Sequence, residues 1–153
     1  MKRFLIILSA FWALSLAAHA QTPVESLISS FDDVKGVKVF VAKGATMAVA
    51  RSYIKKSPMG PLADNVEAVT LMMVKNASEP TKDSFLSRLR PMLKTSYQFY
   101  GKKAGMDGRI VEVYGSPVKN GSVGELVIYN SDQHSLFSLR GSYPVSELQA
   151  LDR

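Results

Sequence analysis

The segment that decides the fold is residues 122–141, which reads SVGELVIYNSDQHSLFSLRG. Two runs rich in β-branched, aromatic and other apolar residues, 122–130 and 134–141, enclose the polar tripeptide at 131–133. Serine and aspartate favour tight turns because their short side chains hydrogen-bond to the nearby backbone. The pattern therefore predicts two antiparallel strands joined by a hairpin turn.

Two more strand candidates precede this hairpin, at residues 96–103 and 109–116. The segments that join the candidates, 104–108 and 117–121, contain glycine next to aspartate or asparagine, which is typical of hairpin turns. The last third of the chain is therefore predicted to be a four-stranded β-meander.

The N-terminal half has a different character, because helical and extended patterns alternate along it. The predicted elements are a helix at 24–31, a strand at 36–41, a helix at 45–56, a strand at 65–75, and a helix that follows Ser78 and includes 85–93. Pro91 lies inside the last pattern and is expected to kink or end that helix.

Helices alternating with strands, followed by a run of strands, predict the α+β class. We expect a single domain with one mixed, mostly antiparallel sheet, helices packed mainly on one face, a C-terminal β-meander and a short final helix at 145–151. The first two strands, joined through a helix, are expected to form a right-handed crossover unit.

Residues 1–20 have the organisation of a secretory signal peptide. A basic start leads into an apolar run at 4–17, and Ala18 and Ala20 place small side chains at the two positions that a signal peptidase reads. The apolar run is shorter than the about 20 residues that a membrane-spanning helix needs. We therefore expect cleavage before Gln21.

Cleavage would leave residues 21–153 as one domain released into the periplasm of a Gram-negative cell. The chain has no cysteine, which excludes the lipid-modified cysteine of bacterial lipoproteins as well as disulfides and thiol catalysis. No later apolar run is long enough to span a membrane. The sequence thus predicts a soluble exported protein without a lipid anchor.

Charge gives weaker information about partners. Residues 1–20 contain two of the 19 basic residues and none of the 13 acidic ones, so residues 21–153 carry a net charge of +4. This mild positive balance allows weak contact with anionic surfaces. Export argues against nucleic acid as a partner.

Three residues are the candidates for chemistry, and each has a structural interpretation as well. Glu112 and Glu125 are carboxylates within predicted strands. Two such acids could act as general acid and base, as in glycosidases. Alternatively, each could form a structural cross-strand pair with a basic residue such as Arg140. His134 is the single histidine of residues 21–153 and lies in a predicted turn next to serine and aspartate. No nucleophile elbow accompanies it, so we predict no catalytic residue.

Metal and cofactor sites are not expected either. With one histidine and no cysteine in residues 21–153, carboxylates are the only strong ligands there, and no calcium-loop or phosphate-loop motif occurs.

The layout of residues 24–151 resembles the bacterial family called domain of unknown function 4252. The resemblance lies in GVKVFV at 36–41, VTLMM at 69–73, and above all ELVIY at 125–129 and LFSLRG at 136–141. It implies an α+β fold and a place among the small exported or lipid-anchored envelope proteins of the Bacteroides group. It implies no reaction, cofactor or catalytic residue, and the chain differs from the lipoprotein members in lacking the leader cysteine.

These observations favour a binding or interaction module of the cell envelope over an enzyme, with an envelope protein or a small ligand as its partner. Two alternatives remain open. One is a periplasmic hydrolase of envelope glycans or peptides that uses Glu112 or Glu125 and His134, provided that these groups converge in one pocket. The other is a carrier of a lipid or small apolar ligand.

Overall fold

A computed structural model provides the structure of the protein and describes residues 21–105 and 107–151. The predicted leader, with Ala18 and Ala20 at its cleavage site, lies outside the described residues. The description begins at Gln21, directly before the first helix.

One six-stranded sheet forms the centre of the fold, and all of its strand pairs are antiparallel. In space the strands follow the order β1-β2-β6-β5-β4-β3. Their bounds are β1 Lys38–Lys43, β2 Val66–Met73, β3 Gln98–Ala104, β4 Ile110–Gly115, β5 Ser122–Asn130 and β6 Ser135–Pro144. The strands β3 to β6 form the predicted C-terminal meander.

Four α-helices accompany the sheet in the described chain. They are α1 Pro23–Phe31, α2 Met47–Lys55, α3 Glu79–Ser96 and α4 Val145–Ala150. Short 3-10 turns at Gly44–Thr46 and Gly60–Asn65 flank α2. Thr22 caps α1 and Ser78 caps α3 by accepting hydrogen bonds from backbone N–H groups of the first turn.

The first face of the sheet, which carries Val127 and Tyr129, is covered by α1 and α3. Because side chains alternate along a strand, the same face receives Met72 and Leu136 from the neighbouring strands. The apolar stripes of the two helices close this core. They consist of Val24, Leu27, Ile28 and Phe31 on α1 and Phe85, Leu89 and Leu93 on α3.

The second face, which carries Leu126 and Ile128, is covered by α2, the 3-10 turn after it, and α4. Met47 and Ile54 on α2, Leu62 in the turn and Leu148 on α4 are buried there. Both faces therefore have a core of their own, and the sheet is the middle layer of three.

The structure confirms the α+β class, the single sheet and the antiparallel C-terminal strands. It corrects the predicted crossover between the first two strands, because β1 and β2 are adjacent and antiparallel. Lys43 at the end of β1 faces Ala68 near the start of β2, so the connection leaves and re-enters at the same end of the sheet. The sheet is consequently antiparallel throughout, and the helices lie on both faces instead of mainly one.

Pro91 does not end the third helix, which continues to Ser96. Proline lacks an N–H group and leaves the carbonyl of Ser87 without its helical donor. Pro91 and Ser87 are both exposed, so water can hydrogen-bond to that carbonyl. This reduces the free-energy cost of the missing helical hydrogen bond.

Across residues 21–105 and 107–151, the helices are all too short or too polar to cross a lipid bilayer.

Candidate functional site

The carboxylate of Glu125 is buried, with 2% of the residue exposed, and it accepts hydrogen bonds from three hydroxyl groups. The Tyr97 hydroxyl donates to Oε1 at 2.6 Å. Thr22 Oγ1, at 2.6 Å, and Ser138 Oγ, at 2.5 Å, both donate to Oε2. Both oxygens are thus occupied by protein donors, which accounts for a buried carboxylate that forms no ion pair with the described residues.

Local features of the chain bring these groups together. A register shift between Val123 and Glu125 marks an irregularity in β5 next to the carboxylate. Thr22 is the N-cap of α1 and forms a capping box with Glu25. The Tyr97 hydroxyl also accepts a hydrogen bond from the backbone N–H of Val24 at 3.2 Å. The N-terminus of α1 is therefore joined to the sheet by polar contacts.

Burial raises the pKa of Tyr97 above its ordinary value, and the hydrogen bond to Glu125 raises it further. Tyr97 therefore stays protonated, and donates to the carboxylate, well into the alkaline range.

The expected cross-strand pair of glutamate and arginine does not involve Glu125. Arg140 is the register partner of Glu125 on β6, but its Nε lies 3.5 Å from Oε1 of Glu25. The buried carboxylate turns instead toward hydroxyl groups. An open cavity of about 420 Å³ lies beside it, with Thr22, Lys119 and Arg140 among the residues of its wall.

Glu112 belongs to a separate cluster on the same face of the sheet. Arg90 of α3 forms two hydrogen bonds with this carboxylate, at 2.7 and 3.0 Å, and the Tyr114 hydroxyl donates a third at 2.7 Å. The Arg90 guanidinium also lies 5.0 Å from the centre of the Tyr129 ring. This cluster fastens the C-terminal half of α3 to β4 and β5.

The Arg90 hydrogen bonds lower the pKa of Glu112. Burial, followed by the hydrogen bond to Glu112, raises the pKa of Tyr114 to about 12. Glu112 is therefore ionised at neutral pH, which suits a charge pair and makes it a poor proton donor.

His134 lies in the turn between β5 and β6. Its φ of 48° is in the left-handed region, and its carbonyl accepts a hydrogen bond from the Val74 N–H. Asn130 organises the turn, since its Oδ1 accepts from the N–H groups of Asp132 and Gln133. The His134 Nδ1 is buried without a hydrogen-bond partner in the described chain.

The structure does not bring Glu112, Glu125 and His134 together. Glu112 is bound by α3, Glu125 by the N-terminus of α1, and His134 is part of a hairpin turn. No hydrogen bond in the described chain links any two of them. This arrangement gives no support to a hydrolase that would use them in concert.

The second face of the sheet contains an open groove with a volume of about 230 Å³. Its apolar floor consists of Leu71, Met73, Val111, Ile128 and Phe137. Tyr53 on α2 forms one wall and is 62% exposed. The polar residues at the groove are Asp107, Arg109, Asn130, Gln133 and Ser135.

The groove exists because the second face is only partly covered. The covering helices pack over Val123, Leu126 and Leu139, while Leu71, Met73 and Phe137 remain half-buried at the groove. Sequence reasoning missed this site. The available signal was Tyr53, which lies next to the buried Ile54 and outside the stripe formed by Met47, Ala50 and Ile54.

The described residues contain no cluster of three or more histidine, cysteine or acidic side chains arranged to hold a metal ion. Polar residues that could contact a cofactor line the groove and the cavity beside Glu125.

Comparisons with protein-family models, with curated proteins and with solved structures found no match. The resemblance to domain of unknown function 4252 therefore stays a prediction.

Proposed function

We propose that this protein is an exported binding module of the cell envelope, and that its binding site is the groove on the second face of the sheet. The observation that carries the proposal is the apolar floor, where Leu71, Met73 and Phe137 remain half-buried beside the buried Val111 and Ile128. When a ligand covers apolar surface in a concave site, removal of that surface from water favours binding.

The size of the groove limits what it binds. Its volume of about 230 Å³ is below the roughly 300–1,000 Å³ of pockets that enclose drug-sized ligands. It therefore suits one apolar group, such as a large side chain or a short acyl chain, that belongs to a larger partner.

The polar groups at the groove favour an uncharged polar function next to that apolar group. Asn130, Gln133 and Ser135 offer amide and hydroxyl groups. Arg109 has its charge partly offset by Asp107, with Nε 3.6 Å from the carboxylate oxygen. A peptide or ester group beside the apolar group would match these donors and acceptors.

The predicted leader supports action outside the cytoplasm, because its basic start, short apolar run and small residues are those of exported proteins. The absence of cysteine from the sequence supports release over lipid anchoring.

The proposal is tested with a fluorescent apolar probe, 8-anilinonaphthalene-1-sulfonate, whose emission rises in an apolar site. We expect saturable binding by the folded protein and strong loss of binding in Met73→Glu, which places a negative charge on the groove floor, where it repels the sulfonate of the probe. The control is Val118→Glu, which adds the same charge at an exposed position in the β4–β5 loop. Equal binding by both variants would show that the probe binds elsewhere.

A further inference from the structure

The two edges of the sheet differ in how they are protected against pairing with another strand. The β3 edge is irregular, with a register shift between Phe99 and Gly101 and a φ of 102° at Gly101. Lys102 and Lys103 follow directly. A bulge and lysines are the devices that usually prevent an edge strand from adding a further strand.

The β1 edge, the free side of Lys38–Lys43, lacks a bulge, and only at Lys43 are the backbone N–H and C=O already bonded to the Thr46 hydroxyl. Its register with β2 runs without a shift from Lys38 opposite Met73 to Lys43 opposite Ala68. Phe40, on the second face, is 55% exposed, and Val41, on the first face, is 59% exposed. Both sides of this strand therefore present apolar surface at an edge with regular geometry.

Charge on β1 restricts which strand fits there. The strand carries Lys38 and Lys43 at its ends and no acidic residue. A second copy of the chain would bring further lysines to the same edge, which is unfavourable. An extended segment with an apolar centre and acidic ends would place opposite charges at both lysines.

We propose that the β1 edge is an interaction surface that adds one strand from a partner protein, and that the added segment is apolar with acidic residues at its ends. Main-chain hydrogen bonds to β1 hold the segment, while Phe40 and Val41 contact its side chains on the two faces. Lys38 and Phe40 lie opposite the groove residues Met73 and Leu71, so the two surfaces adjoin on the second face, but no β1 residue lines the groove. The proposal does not depend on what the groove binds.

The test uses two synthetic six-residue peptides, acetyl-EVTVTE-amide and acetyl-KVTVTK-amide, titrated into isotopically labelled protein at low salt. In a strand of six residues the two ends lie on opposite faces, as Lys38 and Lys43 do on β1. We expect the first peptide to shift backbone amide signals of residues 38–43 and to slow their hydrogen exchange. The second should bind about fivefold more weakly or worse, because it places like charges at both ends. Added salt should reduce the difference.

Two matched variants locate the site. Val41→Glu places a negative charge on the β1 edge and should weaken binding of the acidic peptide, whereas Phe99→Glu makes the same change on β3, at a side chain that is 52% exposed, and should leave binding unchanged. Equal affinity for the two peptides, shifts confined to β3, or no shift at millimolar peptide would overturn the proposal. Concentration-dependent shifts at β1 without peptide would assign the edge to self-association and overturn it as well.

Discussion

Thr22 and Glu125, separated by 103 positions in the chain, form a 2.6 Å hydrogen bond between the threonine hydroxyl and a buried carboxylate oxygen. Thr22 is also the N-cap of α1. One hydroxyl thus takes part both in starting the first helix and in attaching it to the sheet.

Replacing both residues should show that they act together. Thr22→Val removes the cap and should lower the free energy of unfolding by about 1–2 kcal/mol. Glu125→Gln should cost about 1–3 kcal/mol, because a carboxylate acceptor of three hydroxyls is lost. In urea unfolding, the double variant should lose less than the sum of the two losses, by about 0.5 kcal/mol or more. Strict additivity would contradict a direct coupling.

Alkaline pH should destabilise the protein through Tyr97. Its pKa in the folded state lies above its ordinary value, so the unfolded chain loses this proton first. The contribution is therefore complete below about pH 10 and falls as the pH rises further, by up to about 1.4 kcal/mol per pH unit. Urea unfolding across this range should show a shallower decline in Tyr97→Phe than in the parent protein. Identical slopes would rule out this role of Tyr97.

Acid should act through Glu112, whose pKa is lowered by Arg90. A lowered pKa gives a contribution that is present above the ordinary glutamate value of 4.5 and is lost as the pH falls through the folded-state value. Glu112→Gln should therefore cost about 1 kcal/mol at neutral pH, since Arg90 is partly exposed, and much less near pH 3. A cost that stays constant between the two pH values would contradict the assignment.

Two glycines on adjacent strands provide a matched test of packing. A Cβ atom at Gly141 would overlap the carbonyl oxygen of Asn65, whereas a Cβ at Gly124 would meet no atom within 4 Å. We expect Gly141→Ala to lower the free energy of unfolding by about 3 kcal/mol or more and Gly124→Ala to change it by about 0.5 kcal/mol or less. Thermal unfolding of both variants is sufficient. Similar stability of the two would show that the backbones near Gly141 are less closely packed.

The C-terminal strands were predictable because each has a strong local signal. The alternation in 122–130 and the polar turn at 131–133 give both bounds of β5 and the start of β6 to within one residue, although β6 continues to Pro144, three residues beyond the predicted end. The direction of β2 relative to β1, which the sequence analysis predicted wrongly, has no such local signal. It depends on how α2 and its flanking 3-10 turns pack on the second face, which is a tertiary effect.

The candidate carboxylates show the same limit. The sequence indicates that Glu125 lies in a strand, but its partners Thr22, Tyr97 and Ser138 come from three distant segments. The sequence therefore could not predict these hydroxyl partners, nor that Glu125 forms no pair with Arg140. The groove was missed for a related reason, because it depends on which part of a sheet face the helices leave open.

The most direct test of the central claim is nuclear magnetic resonance of methionine methyl groups during titration with 8-anilinonaphthalene-1-sulfonate. Met73 lies at the groove, while its neighbour Met72 points to the opposite face and is buried there. The account predicts a saturable shift of the Met73 methyl signal with little change at Met72 or at the buried Met47. Binding of the probe with no change at Met73, or with its largest change at Met72, would contradict a binding site in this groove.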